Sequence, residues 1–130
     1  MILKNYAVFT VLLLIVGCDG LTPEERQKRL HLPTAGYVAD AAQGRAEFNQ
    51  YCASCHGQNG NGTQQGPPLV HETYRYGHHA NLSFHMAVRD GVRAHHWHFG
   101  DMKPLPDVTP EATENIIAYI RNEQRKAGIK

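Results

Sequence analysis

Cys52-Ala53-Ser54-Cys55-His56 is the stretch on which the reading of this 130-residue chain turns. Two residues separate the thiols, so a single turn of chain can present both to one side, and an imidazole follows at once. A C-x-x-C redox pair opens a helix after a strand in a βαβ pattern, whereas these cysteines follow a helical segment. A zinc site needs a fourth ligand at matched spacing, and the nine histidines of the chain keep that option open. A disulfide between cysteines so close closes too small a loop to stabilise much. The expectation is covalent attachment of a c-type haem. Cys52 and Cys55 would join two vinyl groups on one edge of the porphyrin, and His56 would bind iron as the proximal ligand. The expected cofactor is one haem c.

The flanking sequence predicts helices. Asp40 can cap one, with Gln43 placed for a capping box, and Phe48, Tyr51 and Cys52 fall on one face by the i, i+3, i+4 rule. A second helix runs from about Asn81 to Asp90 and stops at Gly91. A third opens at Thr109-Pro110, where the missing N–H of proline costs nothing. Its apolar side is Ala112, Ile116, Ile117, Tyr119 and Ile120, and Gly128 ends it. No sustained strand alternation is present. The fold class is all-α, with three to four helices around the cofactor.

From Asp40 to the C-terminus the chain resembles class I cytochromes c. In that family the first and last helices cross closely, a small residue and an aromatic meeting an aromatic, and Gly44, Phe48 and Tyr119 match those positions. Gly66-Pro67-Pro68-Leu69 is similar to the segment whose proline carbonyl accepts a hydrogen bond from the proximal histidine. The resemblance assigns that carbonyl to Pro67, places Leu69 on the porphyrin, and implies the cytochrome c fold for residues 40–130.

The sixth iron ligand implied by the resemblance is Met102, in the loop Phe99-Gly100-Asp101-Met102-Lys103-Pro104. The family often has proline directly after this methionine, and here Lys103 intervenes. A thioether favours reduced iron and raises the potential, so His56 and Met102 as the metal ligands imply electron transfer rather than catalysis. Met86, inside the middle helix, reads as core filling. The rival ligands are His95, His96 and His98; a bis-histidine haem would have a lower potential. His78, His79, His95, His96 and His98, with Trp97 among them, are not explained by haem binding. They could form a polar rim, a pH-sensitive docking face, or a copper or zinc site. Arg75, Arg89 and Arg93 are candidate partners for the propionates of the porphyrin.

At the N-terminus, Lys4 precedes an apolar run from Tyr6 to Val16. The run is too short for a membrane span, which needs about 20 residues, and suits a signal peptide. Ile15-Val16-Gly17-Cys18 resembles the lipobox of bacterial lipoproteins, which implies cleavage after residue 17 and a diacylglycerol on Cys18. Asp19 resembles an inner-membrane retention signal. Residues 1–17 are read as the signal peptide, 18–39 as a lipid-anchored tether, and 40–130 as the cytochrome c domain. The alternative for the middle segment is an arm packed on the domain, with Thr22 and Pro23 opening a short helix.

The formal charge of +1 creates no field that would imply nucleic acid as a partner. At 42% hydrophobic and 19% charged residues, the composition is that of a small globular domain rather than a disordered chain. The expected function is that of a single-electron carrier between redox protein partners, alone as a monomer or within a respiratory complex. It would sit on the periplasmic face of the inner membrane, or be soluble in the periplasm. Two rival functions stand beside this: a haem enzyme or gas or peroxide sensor with a displaceable sixth ligand, and a metal-handling module using the histidines.

Overall fold

The computed structural model describes residues 20–130. The signal peptide, the lipidation site at Cys18 and Asp19 lie outside them. Among the described residues there are five α-helices: α1 (Pro23–Arg29), α2 (Ala41–Tyr51), α3 (Ala53–His56), α4 (Asn81–Asp90) and α5 (Pro110–Lys126). Two short 3-10 turns, Gln58–Gly60 and Glu72–Tyr74, break the long loop before α4. The described residues contain no strand, only an isolated antiparallel bridge between Val92 and Met102. Residues 40–130 thus hold four helices, in line with the three to four expected, and none of the five is long and apolar enough to cross a membrane.

Local chemistry sets the helix ends. The Asp40 carboxylate accepts from the Ala42 and Gln43 amides at 2.8 and 3.1 Å. The capping box expected there does not form, because the Gln43 amide turns along the helix to donate to Glu47 Oε1 at 2.9 Å. A complete box appears at α1 instead, between Thr22 and Glu25. Thr109 Oγ1 caps α5 through the Ala112 amide. Gly91, at φ 75°, ends α4 in a conformation that a side chain would oppose.

The core lies where α2 crosses α5. A Cβ on Gly44 would collide with the backbone of Asn115, so only glycine lets the helices approach this closely. One turn on, the Phe48 and Tyr119 rings stand 5.5 Å apart and tilted, a geometry favourable for aromatic pairs. Ala112, Ile116, Ile117, Tyr119 and Ile120 are all buried, as the α5 pattern predicts. Each large apolar side chain removed from water contributes ~1.5–3 kcal/mol.

The segment before α2 departs from a free tether. His31 reaches Thr113 Oγ1 at 3.3 Å, and the Thr34 amide donates to Glu111. The Tyr37 hydroxyl and the Asp40 amide both donate to Asn115 Oδ1, at 3.0 and 2.8 Å. From His31 onward, therefore, the chain is the packed arm rather than a spacer. Two of these four bonds satisfy the side-chain oxygen of the buried Asn115 on α5.

Candidate functional site

Helix α2 ends at Cys52, whose amide still bonds to the Phe48 carbonyl, and α3 restarts at once to carry Ala53, Cys55 and His56. Gly57, at φ 76°, then turns the chain sharply, and the His56 carbonyl accepts from the Gly62 amide. Cys52 is buried, Cys55 is exposed, and neither is in a disulfide. Burial, reinforced by the neighbouring Cys55, pushes the Cys52 thiol up to about 12. A redox pair of the thioredoxin kind depends on the opposite shift. Among the described residues, the one group of three or more metal-ligating side chains within mutual reach is His78, His79 and His96, which includes neither cysteine. The redox and zinc readings of the C-x-x-C-H stretch therefore lose ground.

His56 Nδ1 lies 2.9 Å from the Pro67 carbonyl oxygen. A carbonyl can only accept, so Nδ1 carries the proton and Nε2 keeps its lone pair. Burial holds His56 below the ordinary imidazole range, opposed by the bond to Pro67. The neutral ring is the form that binds metals.

Cys52, Cys55, His56, Pro67, Leu69 and Met102 all line one predominantly apolar cavity of about 620 Å³, within the size range of small-molecule and cofactor sites. Met102 is held by two backbone bonds with Val92, each 2.9 Å, and the Leu105 amide donates to the Val88 carbonyl at 2.8 Å. The loop is thereby fastened to the end of α4, and Lys103 leaves Pro104 free to lie against Gly91. Met86 does not line the cavity. Of the rival ligands, His95 and His96 line it and His98 does not. Arg75, Arg89 and Arg93 do not line it either; Arg89 is paired with Asp90 at 2.5–2.7 Å instead.

Several features of the site were not anticipated. Arg121 and Gln124, both buried on α5, reach across to the loop before α4. Arg121 donates to the Tyr74 and His79 carbonyls and to Asn81 Oδ1, and Gln124 donates to the Leu69 and Tyr74 carbonyls. They position Leu69 and His79 at the cavity. Their spacing from Ile117 and Ile120 would have put them on the buried face, but charge and polarity argued for solvent. His85 is likewise buried, its Nε2 2.7 Å from Glu114 Oε2; it shares a face with Val88, three residues on.

The residues fit a covalent haem. The donor set is two thiols and a neutral imidazole at one apolar cavity, with a thioether at its edge. Trp97 Nε1, also at this cavity, is buried with no regular hydrogen bond, only a loose contact with the Tyr74 hydroxyl, and offers a donor to an acidic substituent.

The Cytochrome c family model matches residues 41–124, and the chain belongs to that family. Its members bind haem c covalently and serve in general as electron carriers, and the structure has their all-α fold. No curated protein matches the chain.

Proposed function

We propose that this protein carries single electrons through one haem c, with His56 and Met102 as axial ligands, between redox proteins at the periplasmic face of the inner membrane. The observation that carries the reading is the convergence of Cys52, Cys55, His56 and Met102 on one apolar cavity. A haem iron held there supplies a reversible one-electron couple, which a neutral thioether biases towards the reduced state. The chain's own residues do the rest. Cys52 and Cys55 tether, Pro67 fixes the tautomer and orientation of His56, and the bridge to Val92 holds Met102 in place. Apolar walls from Leu69, Phe84 and Ile116 limit water. The formal charge of +1 does not favour nucleic acid as a partner. The lipobox-like Ile15-Val16-Gly17-Cys18 supports anchoring through a lipid on Cys18; one acyl chain alone holds only marginally.

The test is an absorption spectrum of the oxidised protein, produced with haem-attachment machinery, together with its intact mass. A methionine-to-iron charge-transfer band, one added haem and a diacylglycerol are the expected results. A mass without haem overturns the reading. A second reading is favoured by His79, His95 and His96 lining the same cavity: a haem enzyme or sensor in which Met102 gives way. Rapid binding of cyanide or carbon monoxide to the wild type would select it.

A further inference from the structure

We infer that His78, His79 and His96 form a second site, for a divalent transition-metal ion of borderline softness such as Zn²⁺ or Cu²⁺, joining the two loops that border the cavity. Their ligand nitrogens all lie within 4.8 Å of one another. His78 Nε2 and His96 Nε2 are 3.3 Å apart. Two nitrogens bound to a tetrahedral ion at about 2.0–2.1 Å stand roughly 3.3–3.4 Å from each other, so this pair already has the edge length of a zinc site. The third nitrogen needs to close by at most ~1.5 Å to complete the triangle, a shift within reach of a side chain on a loop.

The outer partners point the same way. His79 Nδ1 lies 2.7 Å from the Thr73 carbonyl, so Nδ1 is the protonated nitrogen and Nε2 is left as ligand. A ligating histidine whose other N–H is held by a carbonyl is the usual arrangement at metal sites. Arg121, donating to the His79 carbonyl, fixes the backbone beneath it. His95 stands next in line, its ring 4.3 Å from that of His96. Its Nδ1 lies 2.8 Å from the Arg93 carbonyl, and it is not one of the three whose nitrogens lie within mutual reach.

The three residues contain no carboxylate, so hard ions that want oxygen ligands are excluded and imidazole-seeking ions are selected. His78 and His79 precede α4, whereas His96 lies in the loop that ends at Met102. An ion here would hold those loops together, close in sequence to the methionine. None of the three residues is needed for attachment through Cys52 and Cys55.

The test is titration of the haem-loaded protein, without an affinity tag, with Zn²⁺ by calorimetry and with Cu²⁺ by electron paramagnetic resonance. The expected result is one saturable equivalent, nitrogen hyperfine structure for Cu²⁺, and no uptake of Mg²⁺. His78→Ala and His96→Ala, both at exposed positions, should each weaken binding ~10-fold or more, while His98→Ala leaves it unchanged. Equal affinity in all variants, or no saturable binding, overturns the site. So does a changed haem ligand spectrum in metal-free His96→Ala, which would give that imidazole to iron. Haem content, read by mass on the same sample, reports separately on the proposed function.

Discussion

Met102 and Val92 exchange both of their backbone N–H···O=C bonds, each 2.9 Å long. This single bridge ties the methionine loop to the residue just after Gly91, so the position of the sulfur depends on the end of α4. Gly91 is at φ 75°, and a Cβ there would collide with the Met102 carbonyl oxygen and press on Pro104. Gly91→Ala should therefore destabilise the fold by about 1–3 kcal/mol. It should also weaken the methionine-to-iron band. A stable variant with an unaltered band would show that the bridge does not position the ligand.

Replacing Met102 itself separates ligation from packing. Met102→Ala should abolish the band, admit carbon monoxide and lower the potential. Axial ligands set haem potentials across ~0.8 V, and a fall of ~0.1 V or more is the expected share. Redox titration measures it. Met86→Leu, away from the cavity, should leave both potential and spectrum as they were.

The crossing at Gly44 makes a prediction against helix propensity. Alanine is favoured over glycine inside a helix by ~0.8–1.0 kcal/mol. Yet the obstacle here is the Asn115 backbone, which cannot rotate away. Gly44→Ala should cost about 1–3 kcal/mol overall, read from the denaturant midpoint. Gly77→Ala is the comparison, since nothing lies within 4 Å of its added carbon. It should be neutral or slightly stabilising.

The parts of this protein legible in its sequence are those with a short-range cause. The Cys52–His56 spacing, the caps at Asp40 and Thr109, the glycine stops and the α5 stripe all act within a turn or two. The Gly44, Phe48 and Tyr119 contact was legible through resemblance rather than periodicity. What stayed hidden depends on partners far along the chain. Arg121 is buried because the Tyr74 and His79 carbonyls and Asn81 Oδ1, 40 or more residues away, accept from it. Asn115 is buried because the arm supplies donors from 75 and 78 positions upstream. The histidine group was visible as composition, but only folding selects His78, His79 and His96 and sets His98 apart.

Asn115 is the test of how the arm is held. Its Oδ1 takes both the Tyr37 hydroxyl and the Asp40 amide while fully buried. Asn115→Ala leaves the Asp40 amide without its acceptor and should cost about 1–3 kcal/mol. Tyr37→Phe removes one bond at a half-buried site and should cost ~0.5–1.5 kcal/mol. Because the two share an acceptor, the double variant should lose less than the two separately. Strict additivity would mean that Tyr37 is held by something else.

His31 gives the fold a pH dependence with a defined sign. Burial, then the neighbouring His85, holds its pKa below the usual value, with Arg89 acting the same way and the Val108 carbonyl and Glu111 opposing. The unfolded chain therefore takes up the proton first as pH falls. The contribution is fully present above about pH 6.5, the ordinary histidine value, and is lost as pH drops from there through the folded value. The midpoint of denaturation should decline as pH falls below about 6.5. Since His31 sits at φ 54°, a conformation that asparagine tolerates, His31→Asn should keep the backbone and flatten that decline. An unchanged slope would assign the effect to His79 or His96, whose pKa values are shifted in the same direction.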